Sequence, residues 1–425
     1  MLRTLGNFLS KTNSLEVAWL FLWLATTSFT QRTAPESLSG GVDVTHFQRG
    51  FFLVLAILIL SFALSRGIPK PRFDPVSLFL YYCGFAVFST LWSASAVATL
   101  GKAVEISTAC LIVLKTMSGP DPLFRLKRLF NWYLLISGTL VAIATIGHVV
   151  APDVFSSGVH RITGPLLGSN SVSKGAALLS IVFLARALER QHPDAKKTGL
   201  FILYLVTGGI AVYALGRTAI VIFAVGSAML LTRRKFLVSS LLLFPAAFLT
   251  YGIFEQVIFS YLSRGQSLED LYALSGREVL WEWGWDAFFE NPFAGFGFGV
   301  GSRVVLTKFA VRNYSDTISS LHNGLVEIVL GTGLIGLSLV GSSFLYGLWL
   351  AGRGLMRGMH MDMCIYFVAL SFVSFSSTGI GGWMSSSIAL FLASAGYLYL
   401  SQGWEKAIKR EHILPDPANK MISAT

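Results

Sequence analysis

The sequence predicts an all-α membrane protein, a polytopic helical bundle of about twelve transmembrane helices. Charged residues make up 13% of the 425-residue chain, against about 25% in soluble globular proteins. Hydrophobic residues reach 53%, and the mean hydropathy is +0.64. Apolar runs recur along the chain at lengths near the roughly 20 residues that a helix needs to cross about 30 Å of hydrocarbon.

Taken in order, the runs fall at 14–30, 50–65, 76–95, 97–117, 129–150, 171–188, 198–215, 217–232, 236–253, 324–350, 362–378 and 384–401. The first follows Arg3 and Lys11 but ends without a small-residue cleavage site, so it is expected to be a retained span and not a signal peptide. The first nine runs form an N-terminal transmembrane unit over 1–253, interrupted outside by a small loop at 151–170. A long loop at 254–321 follows, then the C-terminal transmembrane helices of 322–402 and a tail at 403–425.

Basic residues mark every second connection. Arg66, Lys70 and Arg72 stand in one, Lys115, Arg125, Lys127 and Arg128 in the next of the same side. Arg186, Arg190, Lys196 and Lys197 continue the series, then Arg233, Arg234 and Lys235, then Arg353 and Arg357, then Lys406, Lys409 and Arg410. This alternation is the positive-inside pattern and places both termini in the cytoplasm. The net charge of +11 therefore reports orientation in the membrane and gives no support to nucleic-acid binding. Cys83, Cys110 and Cys364 all fall within apolar runs, which excludes a disulfide framework and a cysteine zinc site.

The long loop is where the chain departs from a plain bundle, since a loop of that length is usually functional or structured. Within it, SGREVLWEWGWDAFFENP predicts an amphipathic helix. Ser275 and Glu278 form a capping box, and Asn291-Pro292 supplies the stop. Leu280, Trp281, Gly284, Trp285 and Phe288 share one face, with Glu278, Glu282 and Asp286 opposite. Such a helix is expected on the membrane surface with its tryptophans at headgroup level. Gly295, Gly297, Gly299 and Gly301 then alternate without the Lys-Ser/Thr ending of a phosphate loop, which points to a tight turn or re-entrant segment.

Ionisable groups at membrane depth are costly and mark function more often than chance. Against the charge rule, Arg161, Arg217 and Arg277 stand on the outward side. Each is either a helix-end arginine reaching headgroups or a bidentate anion contact, and Arg277 gains from the helix N-terminus beside it. Lys174, four residues after Asn170, is a further candidate anion contact. His322 opens the re-entry of the long loop and is either a cap or a general base with a suitable near-neutral pKa. Asn323 beside it can orient the ring or touch substrate, and Glu327 can pair with an arginine, orient the histidine or cap a polar pocket. Lys102 and Glu105 are three apart on one helix face and are expected to pair structurally. No Asp-x-Asp, His-Glu-x-x-His or Gly-x-Ser-x-Gly motif occurs, which favours chemistry without a metal or cofactor.

The elements GREVLWEW, NPFAGFGFGVGS and HNGLVEIVLGTGLIG, in that order over Gly276–Gly336, resemble the O-antigen ligase and polymerase superfamily. LGRTA at 215–219 and RITGPLLGSN at 161–170 are similar to two further elements of that superfamily, and the Gly-Arg…Trp and Gly-Phe-Gly elements look most like its exopolysaccharide polymerases. The resemblance implies a metal-independent, inverting glycosyltransferase at the outer face of a bacterial inner membrane, with a periplasmic active site and an undecaprenyl-pyrophosphate glycan as donor. The implied acceptor is a saccharide on a second lipid-linked repeat for a polymerase, or lipid A–core for a ligase, with polysaccharide assembly proteins as partners. Arg161, Arg217 and Arg277 would bind the pyrophosphate and His322 would be the base. Asn323, Glu327, Asn170 and Lys174 would support them or the acceptor. The competing class is a transporter or flippase for the same lipid-linked sugar, which would need broken or charged helices at mid-membrane in both halves.

Overall fold

A computed structural model describes residues 13–26, 44–157, 161–163, 168–189, 193–214, 216–232, 277–309, 321, 323–376 and 385–413. The described chain is predominantly helical. Helices α1 (Ser14–Thr26), α2 (Val44–Ser65), α3 (Pro75–Phe88), α4 (Ala96–Met117) and α5 (Pro122–Val150) come first. A single turn Pro152–Phe155 leads into a two-residue hairpin, β1 (Ser156–Ser157) and β2 (Arg161–Ile162), paired antiparallel. Then follow α6 (Ser169–Ala187), α7 (Asp194–Tyr213), α8 (Arg217–Thr232), α9 (Arg277–Glu290), α10 (Gly301–Phe309), α11 (Gly324–Arg357), α12 (Met361–Ser376) and α13 (Ser386–Ile413). The expected run at 236–253 lies outside the described residues; the others coincide with helices.

Among the described residues, five segments are long and apolar enough to cross a membrane: Phe47–Ser65, Ala96–Met117, Pro122–Val150, Asp194–Tyr213 and Gly324–Arg357. Shorter apolar helices stand at Ser14–Ala25, Pro75–Leu91, Arg217–Thr232 and Met361–Leu370. The core is aromatic at its centre. Phe79, Tyr82, Phe130, Phe367 and Phe391 are fully enclosed, with Phe79 5.4 Å from Tyr82 and Phe367 5.1 Å from Phe391 between ring centroids. Phe51, Leu58 and Phe62 on α2 and Leu203 and Leu205 on α7 point outward, as an environment of lipid requires.

The bundle has two unlike ends. At one, Asp74 caps α3 by accepting the Val76 and Ser77 amides at 2.9 Å, and the Lys115 ammonium donates to the Gly67 carbonyl. Arg128 in α5 meets Glu16 of α1 at 2.8 Å, both buried, and Trp132 donates to the same carboxylate at 3.2 Å. Arg186, in the last turn of α6, reaches Asp362 at the start of α12 at 3.0 Å and Asn131 of α5 at 2.7 Å. These contacts put the starts of α3, α5 and α12 and the ends of α4 and α6 together, along with the end of α11. The opposite end therefore gathers the ends of α3 and α5 with the starts of α4, α6 and α11. Gly216 abuts Ser173 of α6, so α8 also starts there.

Candidate functional site

The second end is built around a break in α11. Gly333 has φ +61 and ψ −161 inside an otherwise helical stretch. The left-handed region is open to glycine at little cost. A Cβ at Gly333 would also sit 2.2 Å from the Phe293 carbonyl oxygen. A continuous helix would bond the Leu334 and Ile335 amides to the carbonyls of Leu330 and Gly331. Instead Leu334 N–H donates to Pro292 O (2.8 Å) and Ile335 N–H to Phe293 O (3.2 Å). The two released carbonyls accept from Phe296 N–H (2.8 Å) and Gly297 N–H (3.0 Å). The glycine loop thus enters the gap and exchanges two helical hydrogen bonds for four between segments. The four backbone groups of these two lost bonds are all satisfied, as burial demands.

Alternating glycines make the approach possible. A Cβ at Gly295 would lie 2.6 Å from the Gly331 backbone, and one at Gly301 2.5 Å from Leu330. On its other side the loop is gripped by the α3–α4 corner. Ser89 Oγ accepts from Phe298 N–H at 3.0 Å, and Thr99 Oγ1 donates to Phe298 O at 3.1 Å. Trp92 Nε1 donates to Gly295 O at 3.1 Å, and Lys102 Nζ to Gly299 O at 2.6 Å. The expectation of a tight turn holds. Lys102, expected to pair with Glu105, anchors this loop, and the cations acting on Glu105 are Arg49 of α2 and then Lys102.

Beside the break lies a second small core formed by Leu280, Ala287 and Phe288 of α9, Val305 and Leu306 of α10, Leu321, and Val326, Val329 and Leu330 of α11. Trp281 Nε1 donates to Leu321 O at 3.0 Å. The sequence placed α9 on the membrane surface with Trp285 on its apolar face. Of that face, Leu280, Trp281, Gly284 and Phe288 pack against α11 and Leu321, Ala287 joins them, and Trp285 is 50% exposed. Packing against α11 selects Ala287 over Trp285. The stop before Asn291-Pro292 is where the sequence set it, while Ser275 lies outside the described residues.

Glu327, 3% exposed, accepts the Leu321 amide at 3.0 Å and a hydrogen bond from Ser302, with Lys102 and Arg303 the cations nearest in its field. The carboxylate therefore fixes the backbone immediately before position 322. His322 itself lies outside the described residues. Asn323 is the N-cap of α11, its side-chain oxygen accepting from Leu325 N–H (3.0 Å) and Val326 N–H (3.4 Å).

A basic corner forms separately at the same end. Ile162, the neighbour of Arg161 in β2, packs with Ala144, Val172 and Ala214. Ser173 donates to Ala211 O at 3.0 Å, and a Cβ at Gly216 would lie 2.0 Å from Ser173 Oγ. The hairpin bearing Arg161, the first turns of α6 with Asn170 and Lys174, and the start of α8 at Arg217 are thereby brought together. The His148 ring holds this corner, with Nδ1 2.9 Å from Ser156 Oγ and Nε2 3.3 Å from Tyr213 Oη. Arg217 is half-buried as the first residue of α8, and Arg277 opens α9; the side chains of Arg161 and Arg277 lie outside the described set. Among the described residues no group of three or more His, Cys, Asp or Glu assembles.

Sequence reasoning did not single out Ser89, Trp92, Thr99 or His148. Three of these contact partners about 200 residues away, which local patterns do not encode, and His148 read as one more residue of an apolar run. Residues 200–341 match the family model described as O-Antigen ligase. That segment includes Arg217, Arg277, the glycine loop, His322, Asn323 and Glu327, and leaves out Lys102, Arg161, Asn170 and Lys174. No curated protein matches the chain significantly.

Proposed function

We propose, from the premise that residues 200–341 are an O-antigen ligase segment and that the chain resembles the O-antigen ligase and polymerase superfamily, that it is a glycosyltransferase of bacterial surface polysaccharide assembly. It crosses the inner membrane about twelve times, with both termini cytoplasmic and the site at the periplasmic end. The donor is a glycan on undecaprenyl pyrophosphate. The acceptor is the terminal sugar of another lipid-linked glycan, which makes the protein a polymerase of exopolysaccharide or O-antigen type.

The observation that carries this reading is the basic corner, where Arg217, Lys174 and the Arg161 hairpin come together at the end of the bundle that also holds the glycine loop and Glu327. Guanidinium groups suit a pyrophosphate because they make two parallel hydrogen bonds and keep their charge. In the reaction, His322 takes the proton of the acceptor hydroxyl as its oxygen attacks the anomeric carbon. The bond from that carbon to the pyrophosphate oxygen breaks, and the electron pair leaves with undecaprenyl pyrophosphate. Arg161, Arg217 and Arg277 stabilise that developing charge, and attack from the opposite face inverts the anomeric centre. No metal takes part.

Purified protein, lipid-linked donor and acceptor test the proposal directly. Transfer is expected from the wild type, with His322→Ala losing at least 100-fold in kcat, in line with the roughly 10²–10⁴-fold worth of a positioned base. Arg217→Lys should also lose activity, since lysine keeps the charge without the fork. Full turnover by His322→Ala would remove the histidine from its role. A ligase reading follows from the family's description and differs in acceptor: transfer to lipid A–core in place of a second lipid-linked glycan would establish it. Donor crossing the bilayer without glycan transfer would instead assign the chain to transport.

A further inference from the structure

Lys102 lies outside the segment that matches the ligase family, on a helix that the sequence treated as scaffold. Its ammonium donates to Gly299 O at 2.6 Å, at the point where the glycine loop turns into α10. One residue into α10, Ser302 donates to Glu327, and Lys102 is one of two cations whose field reaches that carboxylate. Glu327 in turn holds the Leu321 amide at 3.0 Å, next to His322. These contacts run from α4 through the loop to Leu321, the residue before the proposed base.

We propose that Lys102 is a positioning residue for His322, acting through Gly299, Ser302 and Glu327. A buried carboxylate is stable as an anion only with cationic and hydrogen-bonding partners around it. Removing the ammonium leaves the Gly299 carbonyl without its donor and takes a positive charge from Glu327. The Glu327 side chain then turns away from its place at Leu321, and the Leu321 amide is released. The chain at His322 gains freedom while the donor-binding corner at Arg217 is untouched. This rests on the functional reading for its consequence in catalysis, but the clamp itself is a property of the folded chain.

The experiment pairs two readouts on the full-length protein in detergent. Amide exchange at Leu321, followed by mass spectrometry, reports the clamp without any substrate. Lys102→Met should exchange there at least tenfold faster, while the α6–α8 region keeps wild-type protection. In the transfer assay the same variant should lose at least tenfold in kcat, with the donor KM within twofold of wild type. Lys102→Arg should return most of both, since it restores charge and donors. Should Lys102→Met not accumulate, Lys102→Gln carries the test, because it can still donate to Gly299 O but lacks the charge. Its Leu321 exchange should rise at least threefold. Combining Lys102→Met with Glu327→Gln should cost no more than the worse single change, the signature of residues acting as one unit. Unchanged Leu321 exchange in the Met or Gln variant overturns the proposal. A wild-type protein that transfers no glycan sinks the functional reading instead, and leaves the exchange result to decide the clamp.

Discussion

At the end of the bundle where α5 and α12 begin, side chains of opposite charge hold helices together. Glu16 meets Arg128, and Arg186 meets Asp362. At the end where α11 begins, backbone is bonded to backbone across the Gly333 break, and glycines bring the segments within reach. The two solutions differ in what they leave for a ligand. The first assigns each buried cation to a carboxylate of the same fold. The second joins its segments through main chain, and the start of α8 at Arg217 and the first turns of α6 with Lys174 lie at the same end. The proposed pyrophosphate site lies at the second end.

Breaking each seam tests this contrast, and the largest effect is expected at the break itself. Gly333→Ala forces a side chain into the Phe293 carbonyl and into a left-handed conformation. It should cost about 5–6 kcal/mol, from about four backbone hydrogen bonds near 1 kcal/mol each plus about 1–2 of strain. Thermal unfolding in detergent should drop steeply or the protein should not accumulate; a wild-type melting temperature would mean that the loop does not depend on this gap.

The ion-pair end should respond differently. Glu16→Gln removes the carboxylate shared by Arg128 and Trp132 and should cost about 3 kcal/mol, whereas replacing Glu16 and Arg128 together by leucine should recover most of it. The same thermal measurement decides, and a double variant as unstable as the single would show that the pair is more than a closed charge. No such recovery is available at Gly333, because no second substitution restores the missing space.

Two smaller changes sharpen the picture. Asn323→Ala removes the α11 cap and should cost about 1 kcal/mol, read as a modest fall in melting temperature. A much larger fall in kcat than in stability would show that Asn323 also serves the reaction. Trp285→Ala, on the exposed face of α9, should change stability by less than about 0.5 kcal/mol. A large loss would mean that the outward face of α9 carries a contact of its own.

The apolar runs made the helices legible because burial in lipid demands uniform composition over a whole turn count, and α4, α8 and α12 start within a residue of where the sequence set them. Charge alternation carried the two ends, as Arg128 and Arg186 show by standing together at one of them. What stayed hidden was pairing at a distance. Gly295 and Gly297 read as a turn, but nothing local ties them to Gly331 or to a bend at Gly333. Lys102 sat three residues from Glu105, and the nearer acid masked a carbonyl 197 residues on. Trp281 and Trp285 suggested a common face, yet tertiary contact with Val326 and Leu330 selected Ala287 over Trp285. The segments carrying Arg161, Lys174 and Arg217 converge through Ile162, Ser173 and Gly216, a proximity that motif order alone does not specify.

The grip of the α3–α4 corner on the glycine loop also sets a schedule for biosynthesis. Lys102 is made 197 residues before the carbonyl it will hold, a wait of about 10–40 s at roughly 5–20 residues per second. For that interval Ser89, Thr99 and Lys102 already stand at the membrane without their final partners, and water, lipid headgroups or an insertion factor must serve in their place. A ribosome that stalls before residue 299 therefore leaves a bundle with this polar corner still open.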